Sequence, residues 1–368
     1  MIKKIIATAM ATAMSVTGAF AAELSSMSWD EVVAQAKSEG ELTWFVWYFQ
    51  DDFRAATKTF EKLYGIKVTI PEGNYGGNLD KLIAEKGRDV GDIDVMSHGW
   101  NALFEMDMEG TYENLTGLIP NAEGKTSNMN GLDSNGYALA YWGNQSGIAY
   151  DPAKIDSADL PQTTAEFAAY WASNPNAMGF NYENGGSGPS FYQNVLRNLS
   201  DVDFSDGSVD DAKLAGLSKG IELFKSNAQN YVITAGNTDS LTRLSDGELT
   251  LVPAWEDHLA GLQKKGEVRK DLKFYIPTMG MNGGGNSAAI PQNAPHPAAA
   301  LLFIDWLTSA ETQTGFNVTF GAAPTHADSD DSHALVSSEQ RKNRVGEAAQ
   351  PFRGKMEEYF IENVILAR

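Results

Sequence analysis

The chain of 368 residues contains no cysteine. That excludes disulfides, a thiol nucleophile and thiolate metal sites together. Basic residues are also few: 28 Lys and Arg stand against 48 Asp and Glu, giving a formal charge of −20. Nucleic-acid phosphates require a basic face, so no nucleic-acid partner is expected. The acidity reads as a solubility device, or as a field that favours cationic solutes. Beyond residue 21 no run is long and apolar enough to cross a bilayer. Histidine is sparse, with only His98, His258, His296, His326 and His333, and no metal pattern of the HExxH kind occurs. There is no Gly-x-Ser-x-Gly elbow and no phosphate loop. Gly283-Gly284-Gly285-Asn286-Ser287-Ala288 fits Gly-x-Gly-x-x-Ala but runs into a proline-stopped strand, which argues against a dinucleotide site. No enzyme activity, metal or cofactor is expected. The one competing reading is a secreted hydrolase using Glu256, Asp257 and His258, although adjacent side chains usually point apart.

Met1 to Ala21 has the make-up of a secretory signal. Lys3 and Lys4 form a positive start, Ile5 to Val16 is mainly apolar, and Ala19-Phe20-Ala21 supplies a cleavage pattern. A periplasmic protein is expected, and loss of the two lysines takes its charge from −20 to near −22.

The next stretch alternates strand and helix. Ser28 and Glu31 form a capping box, Gly40 ends that helix, and Glu41 to Tyr48 reads as a buried strand. A helix over Phe53 to Tyr64, with Phe53, Ala56, Phe60 and Leu63 on one face, leads to a strand at Ile66 to Pro71. A helix over Leu79 to Lys86, with Leu82 and Ile83 inward, leads to a strand at Ile93 to Met96. This alternation predicts an α/β fold with a parallel sheet covered by helices. Ligands of such sheets collect beyond the carboxyl ends of the strands. Those ends carry Trp47 and Tyr48, Asn74 and Tyr75, and His98 and Trp100, all suited to a polar ligand.

Tyr137 to Tyr141 and Gly147 to Tyr150 read as two strand-like runs separated by Trp142, Gly143, Asn144, Gln145 and Ser146. This suits a crossing point between two lobes with a ligand on the Trp142 face, or else one strand with an irregular break. Farther on, the glycine loop Glu183 to Ser190 runs into a helix over Phe191 to Leu199 whose first N–H groups suit an oxygen-rich or anionic ligand, or else it is an ordinary loop. The strand Leu251 to Trp255 ends in Trp255-Glu256-Asp257.

Four stretches together resemble the periplasmic solute-binding proteins of ABC importers, nearest the polyamine-binding group. They are Trp44 to Tyr48, Tyr141 to Tyr150, Leu251 to Trp255 with its following acids, and Ser287 to Thr325 with its apolar helix at Ala298 to Leu307. The resemblance implies a two-lobed fold, each lobe a mixed sheet flanked by helices, joined by crossing strands and closing by a hinge. Lobe 1 would be 22–141 with 271–325, lobe 2 would be 142–270, and 326–368 a helical segment packed on the lobes. It also implies a monomer that delivers its ligand to inner-membrane permease subunits. The ligand would meet Trp47, Tyr48, Asn74, Tyr75, His98, Trp100, Trp142, Asn144, Ser187, Trp255, Glu256 and Asp257, with Asp239 as a further acid. Amines held between aromatic faces and carboxylates fit Trp255 with Asp257. The glycine runs, His98 and the asparagines fit a carbohydrate, polyol or organic acid equally well.

Overall fold

The computed structural model describes residues 24–368 apart from 121, 130 and 338, so the expected leader lies outside the described residues. The chain forms two compact units. The first comprises the described residues up to Met96, Glu109–Pro120 and Ile290–Phe303; the second comprises Ser97–Met108, Asn121–Ala289 and Ile304–Arg368. Residues 97–108, 121–141, 271–289 and 304–325, which the sequence reading groups with lobe 1, belong to the second unit.

In the first unit the expected capping box starts helix Trp29–Glu39, and Gly40 ends it at a left-handed φ of 75°. Strand β1 (Glu41–Phe45) pairs in parallel with β2 (Lys67–Thr69) on one side and with β3 (Val95–Gly99) on the other. The single helix expected over Phe53 to Tyr64 is two, Gln50–Ala56 and Lys58–Tyr64. The break falls at Thr57, which is buried and donates its hydroxyl to Arg54 O. The inward face is thereby reset, and Leu63 is 61% exposed. Helix Tyr75–Glu85 starts four residues earlier than expected, because Asn74 caps it, and Ile83 points outward. Trp44, Phe53, Phe60 and Phe303 form the aromatic core, with ring centroids 4.9–5.2 Å apart. Beside it, buried Asp94 accepts from Thr43 N, His296 N and His296 Nδ1.

In the second unit, β4 (Asn128–Met129) and β5 (Leu132–Asp133) form a short antiparallel pair. The segment expected to break at Trp142 is one twelve-residue strand, β6 (Leu139–Tyr150). The irregularity is a register shift at Tyr141, so the single-strand alternative is the one found. A two-stranded parallel sheet joins β7 (Gly179–Asn181) to β8 (Val232–Thr234). Strands β9 (Leu251–Trp255) and β10 (Lys273–Tyr275) both lie antiparallel to the end of β6. Its first half pairs with β11 (Met281–Ala289), and β12 (Arg344–Val345) adds to β11 in parallel. Such close pairing needs glycine. A Cβ on Gly143 would lie 2.5 Å from Ala323 O, and one on Gly147 2.5 Å from Tyr275 O. Helix Ser187–Asn198 is buried from Ser187 to Leu196 and packs Phe191 against Phe167, Trp171 and Phe180. Helix Phe352–Phe360 joins this core by stacking Phe360 on Tyr192 at 3.9 Å. The Asp151-Pro152 stop after β6 is fixed by Arg269, whose guanidinium grips Asp151 with bonds of 2.9 and 3.0 Å.

Candidate functional site

Within the first unit, the loops after β1 and β2 bring three predicted residues into one cluster. The Trp47 ring lies 5.0 Å from Tyr48 and 4.9 Å from Tyr75, both edge-on, and all three keep partial exposure. Gln50 braces the cluster by donating to Val46 O, Pro71 O and Gly73 O. Asn74 is exposed, but its Oδ1 is spent as the helix cap on Gly77 N.

In the second unit most of the predicted residues are interior. His98 is fully buried, which drives its pKa down to about 3 and keeps it neutral. Trp100 is buried and donates its Nε1 to Leu132 O. Trp142, expected to offer an open face, is fully buried between Phe316 and Phe320, and its Nε1 donates to Asp257 Oδ2 at 3.0 Å. Burial pushes the Asp257 carboxyl up, against the Trp142 hydrogen bond, which favours its charged form. Glu256 is buried as well, and accepts at one oxygen from Leu335 N, Val336 N and the Arg341 guanidinium, the last at 2.8 Å. Its carboxyl too is raised by burial, with Arg341 opposing. The three groups of a hydrolase do not assemble: Asp257 Oδ1 accepts the backbone N–H of His258, whose Nε2 meets Thr238 at 3.4 Å. Both acids are thus internal ties, where the sequence reading placed them against an amine.

The glycine loop is likewise closed on itself. Ser187 N and Oγ donate to Asn237 Oδ1, and Gly188 N donates to Asn181 Oδ1. Ser187, expected to face a ligand, is therefore occupied, and the helix expected from Phe191 already starts at Ser187. Asp239 accepts from Ala235 N within its own turn. Trp255 stays partly open, as Asp239 and Asn144 do, its indole 3.4 Å from where a Gly186 Cβ would sit.

Of the predicted residues in this unit, Asn144 lines a cavity of about 660 Å³, inside the usual range for small-molecule sites. Gly143 and Gly284 contribute to its wall, as do Thr126, His326, Asp331, Arg341 and Arg344. Gly284 faces Asn144 in the β6–β11 register. Sequence reasoning missed the three basic or imidazole groups, having read 326–368 as a helical tail. The available signal was Arg341-Lys342-Asn343-Arg344, three cations in four residues of an acidic chain. Among the described residues, no group of three or more His, Asp or Glu is placed to hold a metal ion.

The chain belongs to the bacterial extracellular solute-binding protein family, whose model matches residues 55–343. This is a family of solute-binding proteins, so the chain is a binder of solutes and not an enzyme. Among solved structures it is similar to the spermidine/putrescine substrate-binding protein of Streptococcus pneumoniae, at 14% identity and a TM-score of 0.69, covering 89% of this chain and 99% of that one. The raffinose complex of the solute-binding protein RafE matches at 15% identity and a TM-score of 0.66, covering 87% and 94%. The maltose complex of the maltose-binding protein of Listeria monocytogenes matches at 15% and 0.61, covering 90% and 94%. No curated protein matches significantly. The fold is accordingly the two-lobed fold of periplasmic binding proteins, as the sequence led us to expect.

Proposed function

We propose that the chain is exported by its first 21 residues to the periplasm. There, as a monomer, it captures a small polar solute by lobe closure and hands it to inner-membrane permease subunits. The observation that carries this reading is the Asn144 cavity, taken with the family. Its size suits a small solute, and the side-chain amide of Asn144 makes no hydrogen bond among the described residues. Asn144 is half-buried, so its unspent amide in a concave wall is open to ligand atoms. Trp47, Tyr48, Asn74 and Tyr75 in the first unit, and Trp255 in the second, are the further contacts we propose, because each retains exposed surface. His98, Trp100, Trp142, Ser187, Asp239, Glu256 and Asp257 hold the site's framework in place.

A polyamine ligand is supported by the relatives that bear that name. It is weakened by the burial of Glu256 and Asp257, since a charged ammonium needs a carboxylate that it can reach. The test is thermal unfolding of refolded, ligand-stripped protein against polyamines, sugars, polyols and organic acids. A ligand at 100 times its dissociation constant adds about 2.7 kcal/mol to stability. Stabilisation by a compound recovered unchanged is the expected result; consumption of a compound without stabilisation would sink the receptor reading.

A further inference from the structure

The cavity beside Asn144 has a chemical bias that the chain as a whole does not share. Arg344 lines it and makes neither an ion pair nor a side-chain hydrogen bond among the described residues. Its aliphatic stem runs over Gly283, where a Cβ would stand 2.0 Å from it, so β11 is bare at the place the arginine crosses. His326 also lines the cavity. Its Nδ1 accepts from Asp328 N at 3.1 Å, so the neutral ring carries its proton on Nε2, a donor with no partner among the described residues. The Asn144 amide adds a third unspent donor. Arg341 is the second guanidinium of the lining, and Glu256 behind it offsets its charge. Against these donors stands one carboxylate, Asp331, which is exposed. In a chain of formal charge −20, a wall with two guanidiniums and one acid is a local reversal of sign.

Deepening the receptor reading and resting on it, we propose that this cavity takes the carboxylate of a small organic acid. Arg344, the His326 Nε2–H and the Asn144 NH2 donate to its oxygens. A guanidinium matches a carboxylate's planar pair of acceptors, and such charge-assisted bonds are the strong ones. Asp331 makes a dianion such as a phosphate monoester a poorer fit than a monocarboxylate.

The experiment is isothermal titration of the ligand-stripped, full-length mature protein with matched pairs differing only in charge at one end. The pairs are gluconate and glucitol, lactate and lactamide, and alanine and alaninamide, with glycerol 3-phosphate and putrescine alongside. The expected result is that at least one monocarboxylate binds at least 10-fold more tightly than its neutral partner. In Arg344→Gln that preference falls to less than 3-fold. In Asn144→Asp, which sets an acid in the wall, it is abolished. Circular dichroism and unchanged unfolding midpoints establish that both variants are folded. The inference is overturned if no monocarboxylate binds, or if the neutral partners, putrescine or the phosphate bind better. It is overturned too if acid binding survives Arg344→Gln in full. Binding of sugars or amines indifferent to Arg344 would end the carboxylate assignment and leave the receptor reading standing; consumption of a compound without binding would end both.

Discussion

His98 stays neutral inside the second unit, with a pKa near 3, while the unfolded chain protonates it near 6.5. Below pH 6.5 the unfolded state therefore binds a proton that the folded state does not, and stability falls with pH until about 3. Between pH 6.5 and 5 the loss is about 2 kcal/mol, since each pKa unit is worth ~1.4 kcal/mol. Asp94, Glu256 and Asp257 act in the opposite sense. Burial raises their carboxyls, so their contribution falls as pH rises through the folded pKa. Urea unfolding from pH 7 to 5 should show a falling midpoint in the wild type and a much flatter one in His98→Gln. Equal slopes would remove His98 as the cause. At this scale the sequence was readable for type and not for depth. It placed His98, Trp100 and Trp142 near strand ends or breaks. A strand's alternation does not say how much chain will later cover that end, and here Phe316 and Phe320, from 174 residues or more downstream, cover Trp142.

Strands β6 and β11 depend on residues without side chains. The carbonyl of Ala323 and the N–H of Gly143 form a close backbone bridge, and a methyl group at Gly143 has nowhere to go. Gly143→Ala should cost about 1–3 kcal/mol, as overpacking of a rigid site does. Chemical denaturation should show it as a lower midpoint with an unchanged slope. A neutral outcome would mean that the 321–325 loop yields freely. The first cap was the most legible element: Ser28 with Glu31 forms the full capping box that was expected. Its signal is local, two polar side chains three residues apart. The Thr57 break, the register shift at Tyr141 and the two-residue strand β12 were not legible. Each is set by distant partners, and β12 is too short to carry any periodicity.

For the whole molecule, the alternation of strands and helices correctly forecast an α/β fold with a parallel sheet, because βα order and sheet direction are tied by chain geometry. The charge of −20 sets a further expectation. Raising salt from about 0.01 to 0.15 M shortens the screening length from roughly 30 to 8 Å and relieves self-repulsion. The thermal midpoint should rise by roughly 2–4 °C, the shift that ~1 kcal/mol gives in a large domain. A fall would mean that paired charges such as Arg269 with Asp151 outweigh the repulsion.

The cavity also divides along the chain by role. Its glycine floor comes from β6 and β11, while His326, Asp331, Arg341 and Arg344 all fall within nineteen consecutive residues near the carboxyl end. Exchange of that one short stretch would rewrite the wall's charge while leaving every strand of the floor in place. A scaffold so divided can be re-specified by a single segment graft, which makes 326–344 the natural cassette for building receptors of altered preference.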